Sequence, residues 1–167
     1  MSAVDVSPAS VAAGTCSVRR AAAGDRPALE RMLARCTGQT RYRRFHGPVS
    51  VFPERYLTEA LSGSPLHFAL VASAERDGTV VALASCRAVD EGVAELGILV
   101  EDEWQRRGVG SDLLREIVAY AARTGLRALQ AQVLAEQPWI VGLLRRHGTC
   151  TMAGAGQALH VTLSLPR

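Results

Sequence analysis

Gln105, Arg106, Arg107, Gly108, Val109 and Gly110 put two arginines directly before two closely spaced glycines, and an apolar-striped segment opens at Ser111. That order of residue types can hold an anion. If the following segment is a helix, its first backbone N–H groups lack helical partners and its dipole is positive at that end. Glycines let an anion approach the backbone without a side-chain clash, and the arginines offer paired hydrogen bonds to phosphate oxygens. A pyrophosphate suits this chemistry. A nucleotide P-loop requires Lys-Ser/Thr after its last glycine, and Ser111-Asp112 stands there instead, so that reading fails. A dinucleotide fingerprint requires a glycine where Leu113 stands and glycines directly after a strand, which the polar link before Gln105 prevents.

The elements that must position this loop follow from hydrophobic periodicity. Residues 16–21 read as a strand, and Gly24-Asp25 with Pro27 opens a helix whose stripe is Leu29, Met32 and Leu33. Gly38 is expected to stop that helix. The basic aromatic run Arg41, Tyr42, Arg43, Arg44, Phe45, His46 then reads as a loop leading to a short helix over 53–61. Apolar runs 66–74 and 79–88 meet across Asp77-Gly78, a strong hairpin signal, and 93–100 follows the Asp90-Glu91-Gly92 turn. Residues 111–124 carry Leu113, Leu114, Ile117, Val118 and Ala121 at helical spacing before a capping Gly125. Strand 128–134, helix 138–147 and strands 149–153 and 158–165 complete the order. Strand, helix, strand over 93–134 requires a parallel crossover, so the sheet must be mixed. The expectation is an α/β (α+β) fold, in which a mostly antiparallel sheet of six to seven strands is flanked by about four helices. Residues 15–167 form one domain in this reading, behind a disordered tail over 1–14.

Composition narrows the function classes. The chain has 167 residues, 48% of them hydrophobic and 21% charged, as expected of one globular domain. A net charge of +3 is too small for a whole-surface nucleic-acid footprint. Cys16, Cys36, Cys86 and Cys150 are scattered without a CxxC pair, and His46, His67, His147 and His160 lack metal-ligand spacing, so no metal is expected. Cys86 has no identifiable partner for nucleophilic work. No apolar run is long enough to span a membrane and no signal-peptide pattern appears, which makes the cytoplasm the expected location. Alanine-rich helices admit a homodimer as readily as a monomer.

The loop Gln105 to Gly110, following the strand 93–100, resembles the acetyl-CoA pyrophosphate loop of the GNAT acetyltransferases, whose pattern is Gln/Arg-x-x-Gly-x-Gly/Ala. The order of elements over nearly the whole chain suits the same fold. Within that superfamily, Ala94-Glu95 and the Arg41 to Phe45 run are similar to the bacterial protein-lysine acetyltransferases called Pat. The resemblance implies a sheet splayed at the cofactor, acetyl-CoA as cosubstrate, and cofactor contacts from Gln105, Arg106, Arg107, Gly108, Val109, Gly110 and Ser111. It further implies backbone contacts from Ile98, Leu99 and Val100 to pantetheine, and Glu95 as general base. Gln137 stands where the family has a cofactor-contacting asparagine. Leu144 departs from the family's proton-donating tyrosine.

A protonated amine cannot attack a thioester, so a carboxylate that removes its proton is the natural helper. Partial burial among Ala94, Leu96 and Ile98 would raise the Glu95 pKa toward working pH. The competing reading makes Glu95 a structural acid paired with an arginine across the sheet. Gly97 reads equally as an aid to splaying, as a bulge, or as a small residue beneath a neighbouring side chain. Arg41, Arg43, Arg44 and Arg55 suit an acidic protein acceptor, or else a solvated loop with Phe45 tucked into the core. The acceptor is expected to be a protein lysine, with a small amine or a non-catalytic acyl-CoA sensor as alternatives.

Overall fold

Strand β3, His67–Ala74, is buried at every position, which a strand reaches only inside a sheet covered on both faces. The computed structural model, which describes residues 9–10 and 16–166, places it third in an eight-stranded sheet of order β1-β2-β3-β4-β5-β6-β8-β7. The strands are β1 Ala9–Ser10, β2 Cys16–Arg20, β3, β4 Val80–Asp90, β5 Val93–Val100, β6 Ala128–Leu134, β7 Thr149–Ala153 and β8 Ala158–Ser164. Every pairing is antiparallel except β5 with β6. The mixed sheet is therefore as expected. The tail expected over residues 1–14 lies outside the described residues apart from Ala9 and Ser10, which pair with β2.

Side chains alternate across each strand and divide the core in two. Ala69, Val71, Leu83 and Leu99 pack with Leu29, Met32 and Leu33 of α1 (Arg26–Arg35) and Leu57 of α3 (Glu54–Ala60). On the other face Phe68, Leu70, Ala82, Ala84 and Leu96 pack with Leu113, Leu114 and Ile117 of α4 (Val109–Arg123). Phe68 and Tyr120 stack there with ring centroids 3.6 Å apart. Helix α5, Pro138–Arg145, covers the same face through Val141 and Leu144.

One expectation is corrected. Residues 41–45 are helical, not a loop: Gly38–Phe45 forms α2, and Gly38 does not end α1, which stops at Arg35. Thr37 caps α2, its Oγ1 accepting from the Thr40 amide at 3.2 Å, and Asp102 accepts from the Thr37 amide and hydroxyl at 2.9 and 2.8 Å. Burial alone would raise the Asp102 pKa, but these hydrogen bonds and one from Thr40 hold it below the usual carboxylate value. His46 closes the helix in a left-handed conformation.

Gly148 opens β7 against β8, where a Cβ would collide with the Ser164 carbonyl and come 3.1 Å from Leu163 Cδ1. The obstacle is backbone, which cannot rotate aside. Gly148→Ala is expected to destabilise by about 1–3 kcal/mol, read from urea unfolding midpoints.

Candidate active site

β5 and β6 pair in parallel only at Val93, Ala94 and Glu95, against Ala128, Leu129 and Gln130. Beyond them β5 continues along β4 while β6 continues along β8, so the two strands separate. In an antiparallel ladder the N–H and C=O of one residue face one neighbour and those of the next residue face away. The Glu101 amide donates to Val81 O at 2.9 Å, which turns the odd-numbered residues of β5 toward β4. Ile98 and Val100 therefore direct backbone groups into the gap. Leu99 directs its backbone to β4 and its side chain into the core, away from that gap.

The loop ahead of α4 carries two left-handed residues, Arg106 (φ 60°) and Gly108 (φ 84°). No side chain caps α4, and its first helical bond is Asp112 N–H to Gly108 O at 3.0 Å. The amides of Val109, Gly110 and Ser111 thus head a 15-residue helix without helical acceptors, the arrangement that suits a pyrophosphate. Asp112 in the same turn is neutralised by Arg115 at 2.7 Å. Two side chains of this loop make contacts within the chain. Gln105 donates to Val100 O at 3.0 Å and to Thr40 Oγ1 at 3.1 Å, so it braces α2 against the loop instead of reaching for phosphate. Arg107 lies over the Trp104 ring at 5.3 Å.

Where β5 and β6 part, a cavity of about 280 Å³ opens. Its polar lining comprises Arg43, Arg44, His46, Glu95, Gln132 and Gln137, and Ile98, Leu114, Ile140 and Leu144 contribute apolar walls. Gln137, the residue before α5, is 7% exposed and faces this space. Leu144 is buried in the wall and carries no proton to donate.

Glu95 lines the cavity, its side chain 51% exposed and paired with Arg87 across to β4 at 3.1 Å. Ala94, Leu96 and Ile98 face the opposite side of the sheet, so they are not what half-buries this side chain. The arginine partner foreseen in the structural reading is present. Gly97 is explained by what lies over it, since the Arg44 guanidinium occupies the space a Cβ would need. Phe45 is half-buried and packs edge-on against Phe52 and Tyr56 at 5.9 Å. Arg55 lies elsewhere, paired with Glu59 on α3.

The histidines near the cleft are held neutral. Burial first, and then the Arg44 charge, lowers the His46 pKa. His67 is 3% exposed with neither ring nitrogen hydrogen-bonded, and burial followed by Arg87 lowers its pKa. A lowered histidine pKa means the unfolded chain takes up the proton more readily. The stability this residue contributes is therefore complete above the unfolded value of about 6.5 and is lost as pH falls from there through the folded value. His67→Phe is expected to flatten the fall in unfolding midpoint as pH drops below about 6.5. Burial pushes the Cys86 thiol up to about 12, which leaves it without thiolate character near neutrality. Among the described residues no group of three or more His, Cys, Asp or Glu side chains could hold a metal, and no helix is long and apolar enough to cross a membrane.

Arg44 in the Gly97 hollow, Arg87 beside Glu95 and the Thr40-Asp102-Gln105 brace were not assigned these places from sequence. The reading of Gly97 as a small residue beneath a neighbour hinted at the first, and that of Glu95 as paired with an arginine across the sheet hinted at the second.

The geometry finds its counterpart in known proteins. The structure matches the GNAT domain of S. lividans PAT with TM-score 0.75 at 22% identity, covering 90% of both chains. A cAMP-binding acyltransferase from Mycobacterium smegmatis matches with TM-score 0.63 at 26% identity over 96% of this chain, which spans 47% of that protein. A spermidine N-acetyltransferase from Vibrio cholerae, solved with CoA and spermine, matches with TM-score 0.69 at 16% identity, over 89% of this chain and 95% of that one. No curated protein sequence matches. The acetyltransferase (GNAT) family matches residues 29–149, most of the described chain and all of the loop, β5 and the cavity. The chain is a member of the acetyltransferase (GNAT) family.

Proposed function

We propose that this acetyltransferase transfers an acetyl group to a lysine side chain of a protein, as the Pat-type enzymes it resembles do, in the cytoplasm and with Glu95 as general base. Acetyl-CoA supplies the acyl group as a thioester. Val109, Gly110 and Ser111 amides with Arg106 would hold its pyrophosphate, the backbone of Ile98 and Val100 its pantetheine arm, and Gln137 the wall near the thioester. Glu95 accepts the proton of the acceptor ammonium, and the nitrogen lone pair then attacks the acyl carbon directly without a covalent enzyme intermediate. Leu144 leaves the departing thiolate to solvent, which a thiol pKa near 8.5 permits.

The observation that carries this reading is the position of Glu95, a carboxylate opening into the cavity where β5 leaves β6. The same cavity argues against a polyamine acceptor, because two arginines, Arg43 and Arg44, face its one carboxylate. Release of free CoA thiol from acetyl-CoA, measured with lysine peptides, whole proteins and small amines, tests the proposal. Release with lysine peptides supports it, and release with small amines alone replaces the acceptor. Cofactor binding without release for any acceptor identifies a non-catalytic acyl-CoA module.

A further inference from the structure

Among the cations of the cavity, Arg44 is held as if for a ligand. Arg43 has Glu136 at 3.5 Å and Arg87 has Glu95 at 3.1 Å. Among the described residues no hydrogen bond or ion pair engages the Arg44 guanidinium. Its central carbon lies instead over two aromatic rings, 4.7 Å from the centroid of Phe45 and 5.0 Å from that of Tyr56. Tyr56 is fixed in turn by its hydroxyl, 2.9 Å from Ser85 Oγ on β4, and by stacking on Phe52. The hollow at Gly97 receives the group from below. Aromatic contacts do not take up the N–H donors of a guanidinium, and those donors bind a carboxylate in paired fashion.

Gly97 is two residues from Glu95 on the same face of β5, about 7 Å along a strand. An acceptor whose amine lies at Glu95 therefore has an unpaired guanidinium within reach. We propose that Arg44 binds a carboxylate carried by the acceptor beside the amine to be acetylated. This rests on the acetyl-transfer reading of the site and narrows its substrate class. Two sources carry the required chemistry: an acidic side chain flanking the acceptor lysine, and the carboxylate of a free amino acid.

The test compares lysine peptides flanked by glutamate or by glutamine, and free amino acids with their methyl esters, in wild type, Arg44→Gln and Arg44→Lys. Wild type is expected to favour the carboxylate-bearing member of one set by about tenfold or more in kcat/KM, through KM, the scale of one charge-assisted contact. Which set shows the preference names the source. Arg44→Gln brings that ratio to about one, and Arg44→Lys keeps part of it, which separates lost recognition from lost folding. A ratio unchanged by Arg44→Gln overturns the inference, as does a wild-type preference for the neutral member. An equal loss of kcat for both members also overturns it, because Arg44 would then act on the reacting carbonyl. Titration calorimetry with both sets, the acidic and neutral peptides and the amino acids and their methyl esters, gives a readout independent of turnover. If no acceptor releases CoA, Arg44-dependent binding of the carboxylate-bearing member of either set keeps the subsite while acetyl transfer falls; equal binding within both sets removes the subsite whatever the turnover.

Discussion

Glu95→Gln is expected to lower acceptor-dependent release of CoA by about 10²–10⁴-fold, the span of general-base catalysis, with CoA affinity unchanged. Glutamine keeps the size of the side chain and removes its ability to take a proton. The competing reading, in which Glu95 exists to pair with Arg87, predicts a different outcome. Both side chains are near half-exposed, 43% and 51%, so their ion pair contributes at most about 1 kcal/mol to stability after solvent screening. A structural Glu95 would give full turnover and a slightly lower unfolding midpoint. Single-turnover rates and calorimetric CoA affinity on one protein preparation separate the two. Turnover within a few-fold of wild type would remove Glu95 from the mechanism.

Gly110→Asp is expected to move stability and cofactor affinity in opposite directions. A Cβ at Gly110 meets nothing closer than Val100 Cγ2 at 3.7 Å, so a side chain fits there without displacing the fold. A carboxylate in the first turn of α4 is favourable to the helix dipole by about 0.3–1 kcal/mol. The same carboxylate occupies the field intended for a pyrophosphate. Two like charges about 5 Å apart at an effective dielectric near 20 repel by about 3 kcal/mol, equivalent to a weakening of CoA binding by more than 100-fold. Gly110→Ala adds the Cβ alone and controls for bulk. If Gly110→Asp binds CoA as wild type does, the pyrophosphate does not sit at this helix end.

The parts of the molecule legible in the sequence share a physical origin: each depends on interactions between residues near one another in the chain. The Asp77-Gly78 turn is an example, since Gly78 adopts φ 73° and the Ala74 amide donates to Thr79 O at 2.8 Å as the hairpin closes. The helix after Gly110 and its unpaired amides follow likewise from local periodicity and from glycines that tolerate a left-handed backbone. Helix α2 was misread because the sequence around Gly38 satisfies two local rules at once. Glycine weakens a helix, whereas Thr37 starts one, and Asp102, from a distant part of the chain, tips the balance by hydrogen-bonding both Thr37 and Thr40.

By itself the sequence determined the glycine loop before α4 and the order of elements apart from α2, because hydrophobic period and turn chemistry act over a few residues. The tertiary structure alone decided which of those residues share the cleft. Ladder parity sends Leu99 toward β4 while Ile98 and Val100 face the gap, and side-chain alternation leaves Glu95 open to solvent. Long-range contacts assign Gln105 to a brace with Thr40 and seat Arg44 over Gly97. None of these pairings is encoded by spacing along the chain, since each is set by how strands register and how a helix end falls across the sheet.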